Sequence, residues 1–120
     1  MCGMSQVVRR SSDHSLVVVA VTGAADSSTS PELRGELDRA LADERSRVIV
    51  DLSGATFLDS AVLGTLAAAC GRENGPQDPP RIAIVCPDGD VREMFEITAL
   101  DTLLPLRKTM DDARDLVSGG

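Results

Sequence analysis

Val48-Ile49-Val50-Asp51-Leu52-Ser53-Gly54-Ala55-Thr56-Phe57-Leu58-Asp59-Ser60-Ala61-Val62-Leu63-Gly64 is the stretch that decides how this chain folds. Val48 to Leu52 is β-branched and apolar around a single carboxylate, the composition of a strand buried on both faces. Ser53-Gly54-Ala55 is a turn. A helix runs from about Ser60 to Arg72. A buried strand followed by a turn and a helix is the basic unit of an α/β domain.

The helix has an unusual outer face. No residue from Ala61 to Gly71 is charged. Val62, Leu63, Leu66, Ala67 and Cys70 supply a buried stripe. The remaining face, Ala61, Gly64, Thr65, Ala68 and Gly71, is small and uncharged, whereas the other helices carry charges outward. A chain of 120 residues has little material for a second layer over this face, so it reads as a patch for a protein partner. Ser60 stands at the mouth of the helix, as N-cap or as first helical residue behind Asp59. A phosphate there would meet free N–H groups and the positive end of the helix dipole. It would also bring roughly 1.5–2 negative charges to the edge of the uncharged patch.

Upstream, Gln6 to Arg10 is a weak strand candidate, Ser12 to Ser15 a turn, and Leu16 to Val21 a strong strand, so a hairpin is expected. Gly23 to Ser30 reads as a loop. Ser30-Pro31-Glu32 then opens a helix, with Ser30 as cap, Pro31 at the first helical position and Glu32 at the positive end of the dipole. Leu33, Leu37, Ala40 and Leu41 form its buried face, and Arg34, Glu36, Asp38, Arg39 and Asp43 its solvated one. Downstream, Gly75 to Pro80 is a surface loop and Ile82 to Val85 a third strong strand. Val91, Met94, Phe95 and Thr98 mark one face of another helix. Leu103 to Leu106 is a short strand that Pro105 places at a sheet edge. Thr109 caps a last helix whose Ala113, Leu116 and Val117 face inward. The expectation is one domain over residues 1–120, frayed near 1–4 and 118–120. It has a mixed β-sheet of about five strands with about four packed α-helices.

Composition narrows the function. The net charge of −7 repels a phosphate backbone, and with only Phe57 and Phe95 as aromatics there is no platform for stacking bases. Direct nucleic-acid binding is therefore not expected; a basic protein partner is. The longest apolar run, Leu16 to Val21, is too short for a bilayer, and Met1 to Arg10 lacks the apolar centre of a signal peptide, so a cytoplasmic protein is expected. Cys2, Cys70 and Cys86 have neither disulfide nor zinc spacing, and His14 is a lone histidine in a turn. No metal and no cofactor is expected, and no phosphate-cradling glycine arrangement follows any strand. Ser60 lacks a neighbouring histidine and a nucleophile elbow, so an enzyme is not expected.

The run Val48 to Ser60 followed by Leu63-Gly64 resembles the signature of the anti-sigma factor antagonists. These are bacterial, cytoplasmic transcription regulators of the STAS group, named for sulfate transporters and anti-sigma factor antagonists. Gly23 to Leu33, with Asp26 and Thr29, and Val91 to Leu100 are similar to the family's loop into its first helix and to its third helix. The resemblance implies a partner-switching cycle. The unmodified protein binds an anti-sigma factor with serine kinase activity and frees a sigma factor. The kinase phosphorylates Ser60 and the complex parts; a serine phosphatase resets it, and ATP belongs to the partner. The implied partner surface is Asp26, Ser27, Thr29, Asp59, Ser60, Ala61, Val62, Gly64, Thr65 and Ala68, with Asp59 orienting the Ser60 hydroxyl and Asp26 meeting a basic group. The alternative is a phosphorylation-independent scaffold or regulatory subunit that uses the same patch. Three positions depart from the family pattern. Ala61 and Val62 stand where Ser or Thr and then Gly are frequent. Val62 requires the turn to be already helical, and it stands where it could crowd a kinase approaching Ser60. Ala99 replaces a usual Gly at a helix exit.

Overall fold

Leu16–Ala25 (β2) is the strand around which the chain is organised. In the computed structural model, residues 6–11, 15–74 and 79–119 are described. The expectations for residues 1–4, Ser12 to His14 and the first four residues of the proline-rich loop fall outside them. Gln6–Ser11 (β1) pairs antiparallel with β2, the expected hairpin. All other strand pairings among the described residues are parallel. Arg47–Asp51 (β3) lies on the first half of β2, Ile82–Val85 (β5) on β3, and Leu106–Arg107 (β6) on β5. The sheet order is β1-β2-β3-β5-β6. The edge strand lies at Leu106–Arg107 and not at Leu103 to Leu106.

A sixth strand, Ala55–Leu58 (β4), pairs with the far half of β2, Ala25 opposite Leu58. The turn at Ser53–Gly54 thus interrupts a path that resumes alongside the same neighbour. β2 accordingly runs four residues beyond Val21, through part of the expected loop, and a register shift falls between Gly23 and Ala24. Glycine is required at two points of this junction. Gly23 has φ 78°, and a Cβ on Gly54 would stand 2.8 Å from Thr22 Cγ2. The Gly23 N–H donates to the Gly54 carbonyl at 3.0 Å, which pins the two halves together.

Among the described residues four α-helices cover the sheet: Ser30–Leu41 (α1), Ser60–Glu73 (α2), Asp90–Ile97 (α3) and Met110–Ser118 (α4). Val19, Val21, Leu33, Leu37, Val50, Leu58, Leu66, Ile84 and Phe95 belong to the core on the side of α1, α2 and α3. α4 closes the opposite side through Ala113 and Val117 over Val18, Ile49, Ala83 and Val85. Thr109 caps α4 as expected, its Oγ1 accepting from the Asp112 N–H at 3.1 Å. Ser30 does not cap α1. It is the first helical residue, and its hydroxyl shares a hydrogen bond with Thr65 at 2.6 Å. Arg81 locks the far ends of α1 and α2. Its guanidinium donates to the carbonyls of Leu41, Asp43 and Ser46 and to Glu73 Oε1 at 2.8 Å. No helix among the described residues is long and apolar enough to cross a membrane.

Candidate partner-binding site

The pairing of β2 with β4 builds the site. Because Ala25 and Leu58 are opposite each other, the residues that follow them emerge together at the same sheet end. The Asp59 N–H donates to the Ala25 carbonyl at 3.0 Å and fastens the two exits. Asp26 and Ser27 of one loop therefore stand beside Asp59 and Ser60 of the other. Asp26 is exposed and folded into a local turn. Its Oδ1 accepts from the Ser28 hydroxyl at 2.6 Å and from the Ser28 N–H at 2.9 Å. These bonds favour the charged form and hold the Asp26 carboxyl below its usual pKa. Thr29 is buried at 2% exposure. Its Oγ1 accepts from the Asp26 N–H, so its side chain braces the loop and does not face a partner.

Asp59 is the N-cap of α2. Its Oδ1 accepts from the Val62 N–H at 3.1 Å, and its carbonyl accepts from Leu63. That commitment corrects one expectation, because no hydrogen bond joins Asp59 to the Ser60 hydroxyl among the described residues. Ser60 is the first helical residue, exposed, with its Oγ unbonded there. Val62 is fully buried and takes part in the core. It is thus neither a contact for a partner nor an obstacle at Ser60, and the turn is helical as a valine demands.

The uncharged face of α2 lies open. Gly64, Ala68 and Gly71 are exposed, and Ala61 and Thr65 are half-buried. The expected buried stripe holds except that Ala69, not Ala67, completes it. α1 and α2 run parallel, since Ser30 meets Thr65 at one end and Asp38 approaches Arg72 at 3.7 Å about two turns on. Between them lies a groove of about 320 Å³, floored by Leu37, Ala61, Gly64 and Ala68 and rimmed by Arg34, Asp38 and Arg72. The α1 wall was not expected. Arg34 and Asp38 read as ordinary solvated residues, and only their i, i+4 spacing beside Leu37 hints at a shared edge.

A second depression of about 230 Å³ lies between the ends of β3 and β5 and the start of α3, lined by Ser53, Thr56, Cys86, Asp88 and Asp90. Burial pushes the Cys86 thiol up to about 11, away from nucleophilic character. Cys70, packed under α2, is pushed to about 12 by the same cause. Among the described residues no group of three or more His, Cys, Asp or Glu side chains could hold a metal ion.

A family profile described as "Mlab, STAS domain" matches residues 8–106. The chain is similar in structure to an anti-sigma factor antagonist from Mycobacterium paratuberculosis. That match has 30% identity and a TM-score of 0.81, and covers 96% of this chain and 95% of the other. It is also similar to the anti-sigma factor antagonist SpoIIAA in its unphosphorylated form, at 19% identity and TM-score 0.76, covering 96% and 98%. The Bacillus SpoIIAA in its phosphorylated form matches at 18% identity and TM-score 0.68, covering 93% and 99%. At these lower identities the likeness carries the fold alone. No curated protein matches the sequence.

Proposed function

The chain belongs to the STAS-domain family, and from that premise we propose that it is an anti-sigma factor antagonist switched by phosphorylation of Ser60. One observation carries the reading. An exposed serine with an unbonded hydroxyl opens a capped helix, beside the Asp26 loop and at the end of a groove with an uncharged floor. In the unmodified state, the α2 face and its groove receive the anti-sigma factor, and Asp26 meets a basic group on it. That partner is a serine kinase and supplies the ATP. Ser60 Oγ attacks the γ-phosphorus; the new O–P bond replaces the bond to ADP, and the hydroxyl proton passes to a base on the kinase.

The product disrupts its own complex. Asp59 takes the Val62 N–H, so a phosphate on Ser60 finds the N–H groups at the helix mouth and the dipole, and the fold tolerates it. Across the interface it adds roughly 1.5–2 negative charges beside Asp26 and Asp59. A like-charge contact there costs several kcal/mol, and about 2.8 kcal/mol is a hundredfold in affinity. A serine phosphatase restores the binding form.

The test is to incubate the protein with ATP and each anti-sigma serine kinase of its source, then locate phosphate by mass spectrometry. One phosphate, on Ser60, is expected. Stable binding without phosphate on Ser60 would assign the protein to the phosphorylation-independent scaffolds. Ser60→Asp should weaken the complex by about a hundredfold or more while Ser60→Ala leaves it intact; equal affinities would end the charge-switch account.

A further inference from the structure

Among the described residues the two most exposed large apolar side chains are Ile97, at 82%, and Leu103, at 76%. Neither lines the groove between α1 and α2. Ile97 closes α3. The chain then reverses at Ala99, whose φ is 61°, and runs through a 3-10 turn at Leu100–Thr102 that packs against α3. Leu103 follows at once. The two side chains thus stand on the two arms of one tight reversal, whose Phe95 and Leu104 are buried in the core.

The same segment concentrates charge. From Asp88 to Leu104 there are five acids (Asp88, Asp90, Glu93, Glu96 and Asp101) against Arg92 alone, a net −4 of the chain's −7. Arg92 is turned inward, donating to the Cys86 carbonyl. Asp90, Glu93 and Ile97 recur at i, i+3 and i+7, so acids and the exposed isoleucine share one stripe of α3. A single exposed apolar residue needs no explanation. Lys108 pairs with Asp88 at 3.3 Å, but Asp90, Glu93, Glu96 and Asp101 have no ion pair among the described residues, and two exposed apolar side chains at one reversal framed by these four match a ligand with the opposite pattern.

We propose that the outer face of α3 and the reversal at Ala99 dock a basic segment of a protein partner, one that carries large apolar side chains between its cations. Complementarity selects this occupant. A second copy of the chain would set the same carboxylates against one another, and a nucleic acid would be repelled. The inference is independent of Ser60 and stands whether or not that residue is phosphorylated.

The experiment is an NMR titration of the isotope-labelled full chain with a short amphipathic peptide of leucine and lysine. A leucine and glutamate peptide of the same pattern is the control. The lysine peptide should shift the amides of Glu93 to Leu104, and the glutamate peptide should shift none. I97S/L103S should weaken lysine-peptide binding about tenfold or more with an unchanged melting temperature. E93Q/E96Q should weaken it separately and flatten its salt dependence. Absence of binding, or shifts centred on the groove between α1 and α2, would overturn the proposal. So would shifts spread over the whole acidic surface, or full affinity in both variants.

Discussion

Replacing Gly64 by alanine should move two measurements in opposite directions. Gly64 lies inside α2, is exposed, and an added Cβ would meet nothing within 4 Å. The fold therefore has no steric need for glycine there. A glycine inside a helix is about 0.8–1 kcal/mol less favourable than alanine, so Gly64→Ala should stabilise the domain by about that amount. For a domain of this size the melting temperature should rise by roughly 3–5 °C. The new methyl projects into the groove floor, where a packed partner would have to give way. An extra carbon in a well-packed contact costs about 1–3 kcal/mol, so affinity for the anti-sigma factor should fall by roughly fivefold to 150-fold. The assays are calorimetric melting of the free protein and titration calorimetry with the partner in the absence of ATP. Gly35 is the internal control. It lies inside α1, where an added Cβ would meet Arg39 Nη1 at an ordinary 3.8 Å, and it neither lines the groove nor belongs to the α2 face. Gly35→Ala should raise stability and leave affinity alone. A lower melting temperature for Gly64→Ala would refute the geometric reasoning; unchanged affinity would refute the use of the groove.

Three further outcomes follow from the structure. Arg81→Ala removes the donor set that joins the ends of α1 and α2 and leaves Glu73 with only its neighbour Arg72, so urea unfolding should show a loss of about 2–3 kcal/mol. Ala99→Gly relieves the one left-handed non-glycine among the described residues, an exposed position. Set against the greater freedom of glycine in the unfolded chain, it should gain about 0.5–1 kcal/mol in the same assay. Cys70 and Cys86 are held above their ordinary pKa of 9.0, so the folded state keeps protons that the unfolded state releases. Their contribution to stability is full below pH 9 and is lost as pH rises through about 11 and 12, and in a Cys2→Ser variant both thiols should resist a thiol reagent at pH 8 until urea unfolds the chain.

The elements legible in the sequence were those whose local pattern and tertiary role agree. β3 and β5 are apolar runs buried on both faces, and α4 carries its cap and its inward residues at the expected spacing. β4 was not legible. Its four residues, Ala-Thr-Phe-Leu, have Thr56 and Phe57 exposed, and they form a strand only because the far half of β2 offers free backbone partners. The same long-range pairing turned part of the Gly23 to Ser30 loop into strand. The candidate site was legible as one residue, Ser60, and as one helix face. Its surroundings were not, because no local signal says that Asp26 stands beside Asp59 or that α1 walls the groove. Arg81, flanked by Pro80 and a strand, gave no sign that it would gather carbonyls nearly forty residues away.

The register shift between Gly23 and Ala24 divides β2 into two bodies with separate duties. Leu16 to Ala20 belongs to the load-carrying sheet, fixed by β3 and by packing on both faces. Gly23 to Ala25 belongs to the site and answers only to β4. A change of length in that upper portion would slide Asp26 past Ser60 by about 3.3 Å per residue, leaving the lower pairing in register. The distance between the acidic loop and the serine is therefore adjustable without rebuilding the core, much as a jaw can be reset on a rigid frame. Domains of this architecture could thus change partners by editing a few residues at one joint.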